Sequence, residues 1–179
     1  MGALLAFSRG VDLLNERFGW LADWFVFSAC MISAANAVVR YLFSYSTNGF
    51  LEIQWYLFGA TVLLGAPYTL KLNEHVRVDL VYMMLTNRGR LWLDAAGFAV
   101  ILIPASLFLF WLSWPFFWQS FIAGEMSQNA GGLILWPAKL LLPLGFGLLA
   151  IQGMSELIKR VAGLRGVIEV ATDYEKPLQ

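Results

Sequence analysis

The chain reads as four long apolar segments divided by shorter polar ones. Trp20–Phe43 (WLADWFVFSACMISAANAVVRYLF), Leu51–Leu72, Leu91–Phe121 and Ile134–Ile158 are each mostly apolar. Each has the roughly 20 residues that a helix needs to cross a hydrocarbon core of about 30 Å. An isolated strand leaves its backbone unpaired in lipid, so all four are predicted to be helical. The third segment is over-long. At 1.5 Å per residue it reaches about 46 Å, so it tilts, kinks or protrudes. Pro104 and Pro115 are its predicted kink points. The prolines at 67, 104, 115, 137 and 143 all lie in apolar segments. Membrane helices tolerate this when neighbouring helices satisfy the freed carbonyls, which predicts protein neighbours within or beyond this chain.

Between the second and third segments, Asn73–Leu85 (NEHVRVDLVYMML) is too polar to span. Leu80, Val81, Met84 and Leu85 fall on one helical side, and Glu74, His75, Arg77 and Asp79 supply the polarity. This predicts a short helix over about 76–87, lying at the membrane surface. The expected fold is an all-α integral membrane protein with four transmembrane helices and this interfacial helix. One membrane domain covers 20–158, between an N-terminal segment (1–19) and a tail (159–179). Arg9, Arg17 and Ala35-Asn36-Ala37 have elements of a cleavable leader. The apolar run continues through VVRYLF, however, and the leading segment is long, so the first span is expected to be retained.

Composition narrows the class further. Of the 179 residues, 59% are hydrophobic and only 13% are charged, against about 25% charged in a soluble domain. So few charges cannot clothe a globular surface, which disfavours a soluble enzyme, a disordered tail and a nucleic-acid binder together. Twelve Lys and Arg balance twelve Asp and Glu, so no net charge steers the chain to nucleic acid. One Cys and one His exclude an internal disulfide, a paired haem anchor and a His-rich metal cage.

The positions of the basic residues predict an orientation. Arg9 and Arg17 precede the first span, Lys71, Arg77, Arg88 and Arg90 flank the second loop, and Lys159, Arg160, Arg165 and Lys176 follow the last span. The loops Ser44–Phe50 and Ile122–Leu133 carry no Lys or Arg. Both termini are therefore expected in the cytoplasm. Trp20, Trp24 and Trp92 then fall near inner ends of the spans, and Trp55, Trp111, Trp114, Trp118 and Trp136 near outer ends, as the interfacial preference of Trp requires.

Polar residues within spans are costly and mark candidate sites. Asn36 and Arg40 are four apart on one helical face, and the short loop brings Arg40 towards Glu52. That set reads either as a packing brace, with Arg40 reaching the headgroups, or as a binding or subunit-docking constellation. The small residues Ser28, Ser33, Ala34, Gly59, Gly65, Gly145 and Gly153 line faces that permit close helix approach. Glu74, His75 and Asp79 are metal-ligand types, but one His with two carboxylates makes a poor set, and a solvated, self-paired helix start is expected instead. The loop Ile122–Leu133 reads as a plain connector or as a landing surface for an extracytoplasmic partner, with Glu125, Ser127 and Asn129 as docking candidates. Glu156 and Arg160 are one turn apart and are expected to support a helix end. The chain has no GxSxG, HExxH or Cys pair, so no enzyme reading is supported. The four-helix multidrug exporters rely on a membrane-embedded Glu in the first helix, whereas the predicted span Trp20–Phe43 has Asp23 near its inner end and no Glu.

A family resemblance runs through these residues. Asn36-x-x-x-Arg40-Tyr41 closes the first span, Glu52 precedes aromatics at the start of the second, Leu64-Gly65-Ala66 sits inside it, and His75-Val76-Arg77-Val78-Asp79 follows it. In this order, over roughly Trp20–Gly163, the chain resembles the small membrane subunit of tripartite ATP-independent periplasmic (TRAP) transporters, the DctQ-like family. Family members often carry a second acid soon after the first, where this chain has Gln54. The stretch with Glu125, Trp136-Pro137-x-Lys139 and Gln152 is similar to the subgroup tied to mannitol/chloroaromatic or 2-oxoacid systems. The resemblance implies a scaffold without enzymatic activity or a cofactor of its own, in a bacterial inner membrane. Its implied partners are a large DctM-like membrane subunit, which holds the substrate and sodium ions, and a periplasmic binding protein that delivers an organic acid. The small subunit would brace the large one through an elevator-type, sodium-coupled cycle, with Asn36, Arg40, Glu52, His75, Arg77 and Asp79 as structural or packing sites. Membrane lipid is the remaining partner, and nucleic acid is not one. A self-assembling small transporter or structural membrane protein of another family is the competing reading.

Overall fold

A computed structural model describes residues 1–73 and 84–168. Among the described residues there are four long helices: α1 (Gly2–Phe43), α2 (Asn48–Leu72), α3 (Asn87–Ala123) and α4 (Trp136–Leu164). All four are long and apolar enough to cross a membrane. Residues 74–83 and 169–179 are outside the described set, and with them most of the expected interfacial helix and the end of the tail.

Each helix is longer than its apolar run. α1 begins at Gly2, so the leading segment is a continuation of the first span rather than a separate element. Ser8, Val11, Asn15, Gly19 and Ala22 are its buried positions there, and their three- and four-residue spacing is a single stripe facing the bundle. The other helix ends follow from local chemistry. Ser44, Asn73 and Gly124 take left-handed backbone conformations that stop α1, α2 and α3. The Thr86 hydroxyl accepts from the Gly89 N–H and starts α3.

α3 solves its excess length locally. Phe98–Leu102 forms a π turn, in which the Ile103 N–H reaches back to the Phe98 carbonyl. Pro104 follows directly. Because Pro has no N–H to donate, the ladder is already weakened at this point, and the widened turn sits where the break costs least. Pro115 lies farther along within regular helix.

α4 is the centre of the bundle. It packs against each of the other three helices, whereas α3 sits outboard on α4. Ala60, Leu64 and Leu148 form a small core, with Phe18, Phe25 and Leu141 against it. Close approach there depends on missing side chains. A Cβ on Gly145 would lie 2.8 Å from both the Leu63 Cβ and the Leu63 carbonyl oxygen, and one on Gly19 would enter the Tyr68 ring at 2.5 Å. These glycines act as expected of small residues in membrane helices, but Gly59 faces open space.

Candidate functional site

Polar side chains gather at two levels. One is the connector end, where α1 meets α2 and where α3 meets α4 through residues 124–135. The other is the basal end, which holds the start of α1 and the end of α4.

At the connector end Glu52 is buried and organises the 124–135 loop. Its carboxylate accepts hydrogen bonds from the Ser127 hydroxyl, from the Asn129 amide at 2.8 Å and from the Leu133 N–H at 2.6 Å. The loop is also held by its own pairing. Met126 bridges Ile134, the Ser127 N–H donates to the Leu133 carbonyl at 2.9 Å, and the Leu135 N–H donates to the Glu125 carbonyl at 2.8 Å. Further ties come from α2: Asn48 donates to the Ala130 carbonyl, and the Tyr56 hydroxyl donates to the Ile134 carbonyl. Lys139 pairs with Glu125 and lies over the Phe116 ring, 4.1 Å from its centre. The hydrogen-bonded Lys139 ammonium holds the Glu125 carboxyl below the ordinary carboxylate range.

The approach of Arg40 to Glu52 does not end in an ion pair. Glu52 is turned towards the 124–135 loop and is satisfied there, and Arg40 is exposed, with no ion pair among the described residues. The reason is directional: a buried carboxylate at the start of α2 is reached by three convergent neutral donors on one turn of chain, without ordering a long Arg side chain. Asn36 is buried and accepts from the Ser46 hydroxyl at 3.1 Å, tying the end of α1 to the following turn. Ser127 and Asn129, expected to face a partner, direct their side chains to Glu52. His75, Arg77 and Asp79 lie outside the described residues. Among those described, no group of three or more His, Cys, Asp or Glu is placed to hold a metal ion.

The basal end holds a network missed in the sequence. Gln152, wholly buried on α4, accepts from the Asn15 amide at 2.7 Å and donates to Asp12 at 3.0 Å and to Glu156 at 3.1 Å. Lys159 bridges the two acids, 2.8 Å from Asp12 and 2.6 Å from Glu156. Arg160 joins Asp94 of α3 at 3.2 Å, Asn73 at the end of α2 at 3.3 Å and Glu156 at 3.8 Å. Ser8 and Ser155 hydrogen bond at 2.7 Å, and Lys71 of α2 pairs with Glu16 of α1 at 3.4 Å. The Glu156–Arg160 spacing, read as a helix-end support, is thus part of a buried junction of all four helices. A signal was available: Ser8, Asp12 and Asn15 repeat at helical spacing, as do Gln152, Glu156 and Lys159, and two polar stripes in apolar helices are natural partners.

At both levels the charged groups of the described residues are mostly engaged with one another. Sequence comparison decides what kind of molecule this is. The model of one protein family, the DctQ component of tripartite ATP-independent periplasmic transporters, matches residues 29–163. The chain belongs to this family. The DctQ match contains Asn36, Arg40, the whole Glu52 centre and α2–α4 up to Gly163, whereas Ser8, Asp12 and Asn15 precede it. DctQ membership makes the chain a component of a transporter with several membrane spans, as the four apolar helices require. Comparison with curated proteins and with solved structures finds no match.

Proposed function

We propose that this chain is the static small subunit of a sodium-coupled TRAP transporter that imports an organic acid, a carboxylate delivered by a periplasmic binding protein. The chain braces a large DctM-like subunit, which carries the substrate and sodium sites through an elevator-type cycle. It sits in a bacterial inner membrane with both termini cytoplasmic. The DctQ match over residues 29–163 carries this reading. Three features support it. The charged side chains at both levels are mostly consumed by internal contacts, as suits a scaffold more than a translocation path. Lys71, Lys159, Arg160 and Arg165 cluster at the basal end, in keeping with a cytoplasmic face there. The 124–135 loop is built into a defined shape by Glu52, which gives a binding protein a preformed surface on which Glu125 and the exposed edge of Asn129 are available.

The test is reconstitution. Vesicles with this chain, the large subunit and the binding protein are expected to take up the carboxylate when an inward sodium gradient is imposed. Vesicles lacking either membrane subunit are expected to take up none. Uptake by this chain alone would overturn the proposal in favour of a self-assembling transporter.

A further inference from the structure

A lateral groove opens beside α4 in the basal half of the bundle. Among the described residues α2 and the first half of α3 both pack on α4 and hardly on one another, which leaves a slot of about 390 Å³ between them. Ala66 and Leu70 of α2 form one wall, Gly97, Phe98 and Ile101 of α3 the other, and Leu149 of α4 the floor. The lining is apolar except at the basal end, where Asn73 and Asp94 stand on opposite walls. Arg160 closes that end from behind. It joins Asn73 at 3.3 Å and Asp94 at 3.2 Å, and its guanidinium lies 6.0 Å from the centre of the Phe98 ring.

The π turn of α3 shapes the wall opposite α2. Phe98, Ile101 and Leu102 belong to it and all line the groove. π turns inside helices recur at functional sites. Gly97, just before the turn, differs from the glycines at the helix crossings. A Cβ on it would meet nothing within 4 Å, so no neighbouring helix requires its bare backbone. A glycine weakens a helix interior, and what this one provides is an open slot.

The occupant follows from the surroundings and the size. Four spans set the groove in a membrane, and it opens sideways. An apolar cavity stays free of water, and close-packed matter leaves few voids of this volume. A helix about 10 Å across, laid along the roughly 12 Å from Asp94 to Leu102, needs more than about twice the space. At about 30 Å³ per methylene, close to a water molecule's share of liquid, the slot takes roughly a dozen methylenes, which is one acyl chain. The polarity agrees, because the polar end is the basal one. Arg90 stands one turn basal of Asp94 on the same side of α3. An Arg carries five donors, so it can hold a phosphate oxygen beside any other partner.

We infer that this groove holds one phospholipid of the basal leaflet, with an acyl chain between α2 and α3 and its phosphate at Arg90. The site requires the chain to lie in a membrane. It does not require the large subunit, so it stands or falls apart from the proposed transport role.

Native mass spectrometry of the full chain tests it. The chain is purified in detergent, stripped of lipid and returned to mixed micelles with dioleoyl phosphatidylglycerol. One lipid should stay bound per chain. Gly97→Leu fills the slot from a position with room for the side chain. It should lower the bound fraction about tenfold, since displacing roughly two methylenes suffices for that. Arg90→Gln should lower it about fivefold, whereas Leu112→Phe, on the exposed side of α3, should leave it unchanged. Each variant is judged only if it keeps its helicity and thermal midpoint in lipid-free detergent, and Ala66→Leu replaces Gly97→Leu if that one does not. Absence of bound lipid from the unaltered chain overturns the site. Full retention by Gly97→Leu does so too, as does an equal loss with Leu112→Phe, which would mark an unspecific lipid shell. Full retention by Arg90→Gln overturns the phosphate contact. Poorer recovery of the large subunit by Gly97→Leu, with no lipid bound to the unaltered chain, would give the groove to a helix of that subunit and overturn the proposal.

Discussion

The two ends of the bundle hold buried carboxylates by opposite means. Glu52 is met by neutral donors that all come from one loop. Glu156 and Asp12 are met by an ammonium, a guanidinium and an amide, in a network that reaches into every helix. The first arrangement shapes one loop and fastens it to α2 alone. The second fixes helices relative to one another, and losing one member strands the charge of the next.

The largest effect should come from the basal network. Arg160 has a side chain only 7% exposed and faces both Glu156 and Asp94. Arg160→Leu should destabilise the isolated chain by about 3 kcal/mol, because Glu156 and Asp94 lose the guanidinium they share in a largely buried site. A thermal melt in detergent reads this, and an unchanged midpoint would mean that the network is solvated. A smaller and more local effect is expected from Glu52→Gln. The new amide points donors at donors, so protection of the Leu133 and Ser127 amides from hydrogen exchange should fall about tenfold while α1 and α4 stay protected. Loss of protection throughout the bundle would erase the distinction between the ends.

The smallest effect concerns acid. The Glu125 carboxyl is held below its ordinary value by Lys139, so the unfolded chain takes up this proton first as pH falls. The pair's stabilisation is complete above the ordinary carboxylate range and is lost as pH drops through the lowered folded value. Exchange in 124–135, corrected for its intrinsic pH dependence, should therefore be constant from pH 7 to about pH 5 and rise only in stronger acid. A rise near neutrality would place the control elsewhere.

The helices were legible because lipid imposes a single demand, about 20 apolar residues in a row, and all four spans met it. Their ends were less so. The buried stripe from Ser8 to Ala22 continues α1 well before Trp20, but amphipathic spacing outside an apolar run carries no length rule. Pro104 marked the break in α3 without saying that a π turn would absorb it. Glu52 was identified as a residue of consequence, yet its partners were not, because Ser127, Asn129 and the Leu133 N–H are some 75 to 81 residues away in sequence. The Arg40–Glu52 expectation rested on proximity in the chain and on opposite charge. Convergent neutral donors outcompeted it.

The separation of charge into two levels also restrains the chain mechanically. Glu125 and Lys139 lie at one level, and Asp12, Glu16, Lys71 and Lys159 at the other. Displacing the bundle along the membrane normal by one helical turn, about 5.4 Å, would drag one set or the other towards hydrocarbon, at a cost of up to about 2.5–3.5 kcal/mol for each charge that reached the middle. The molecule is stoppered at both faces of the bilayer. Vertical travel by any body packed against it would have to occur as sliding along its surface.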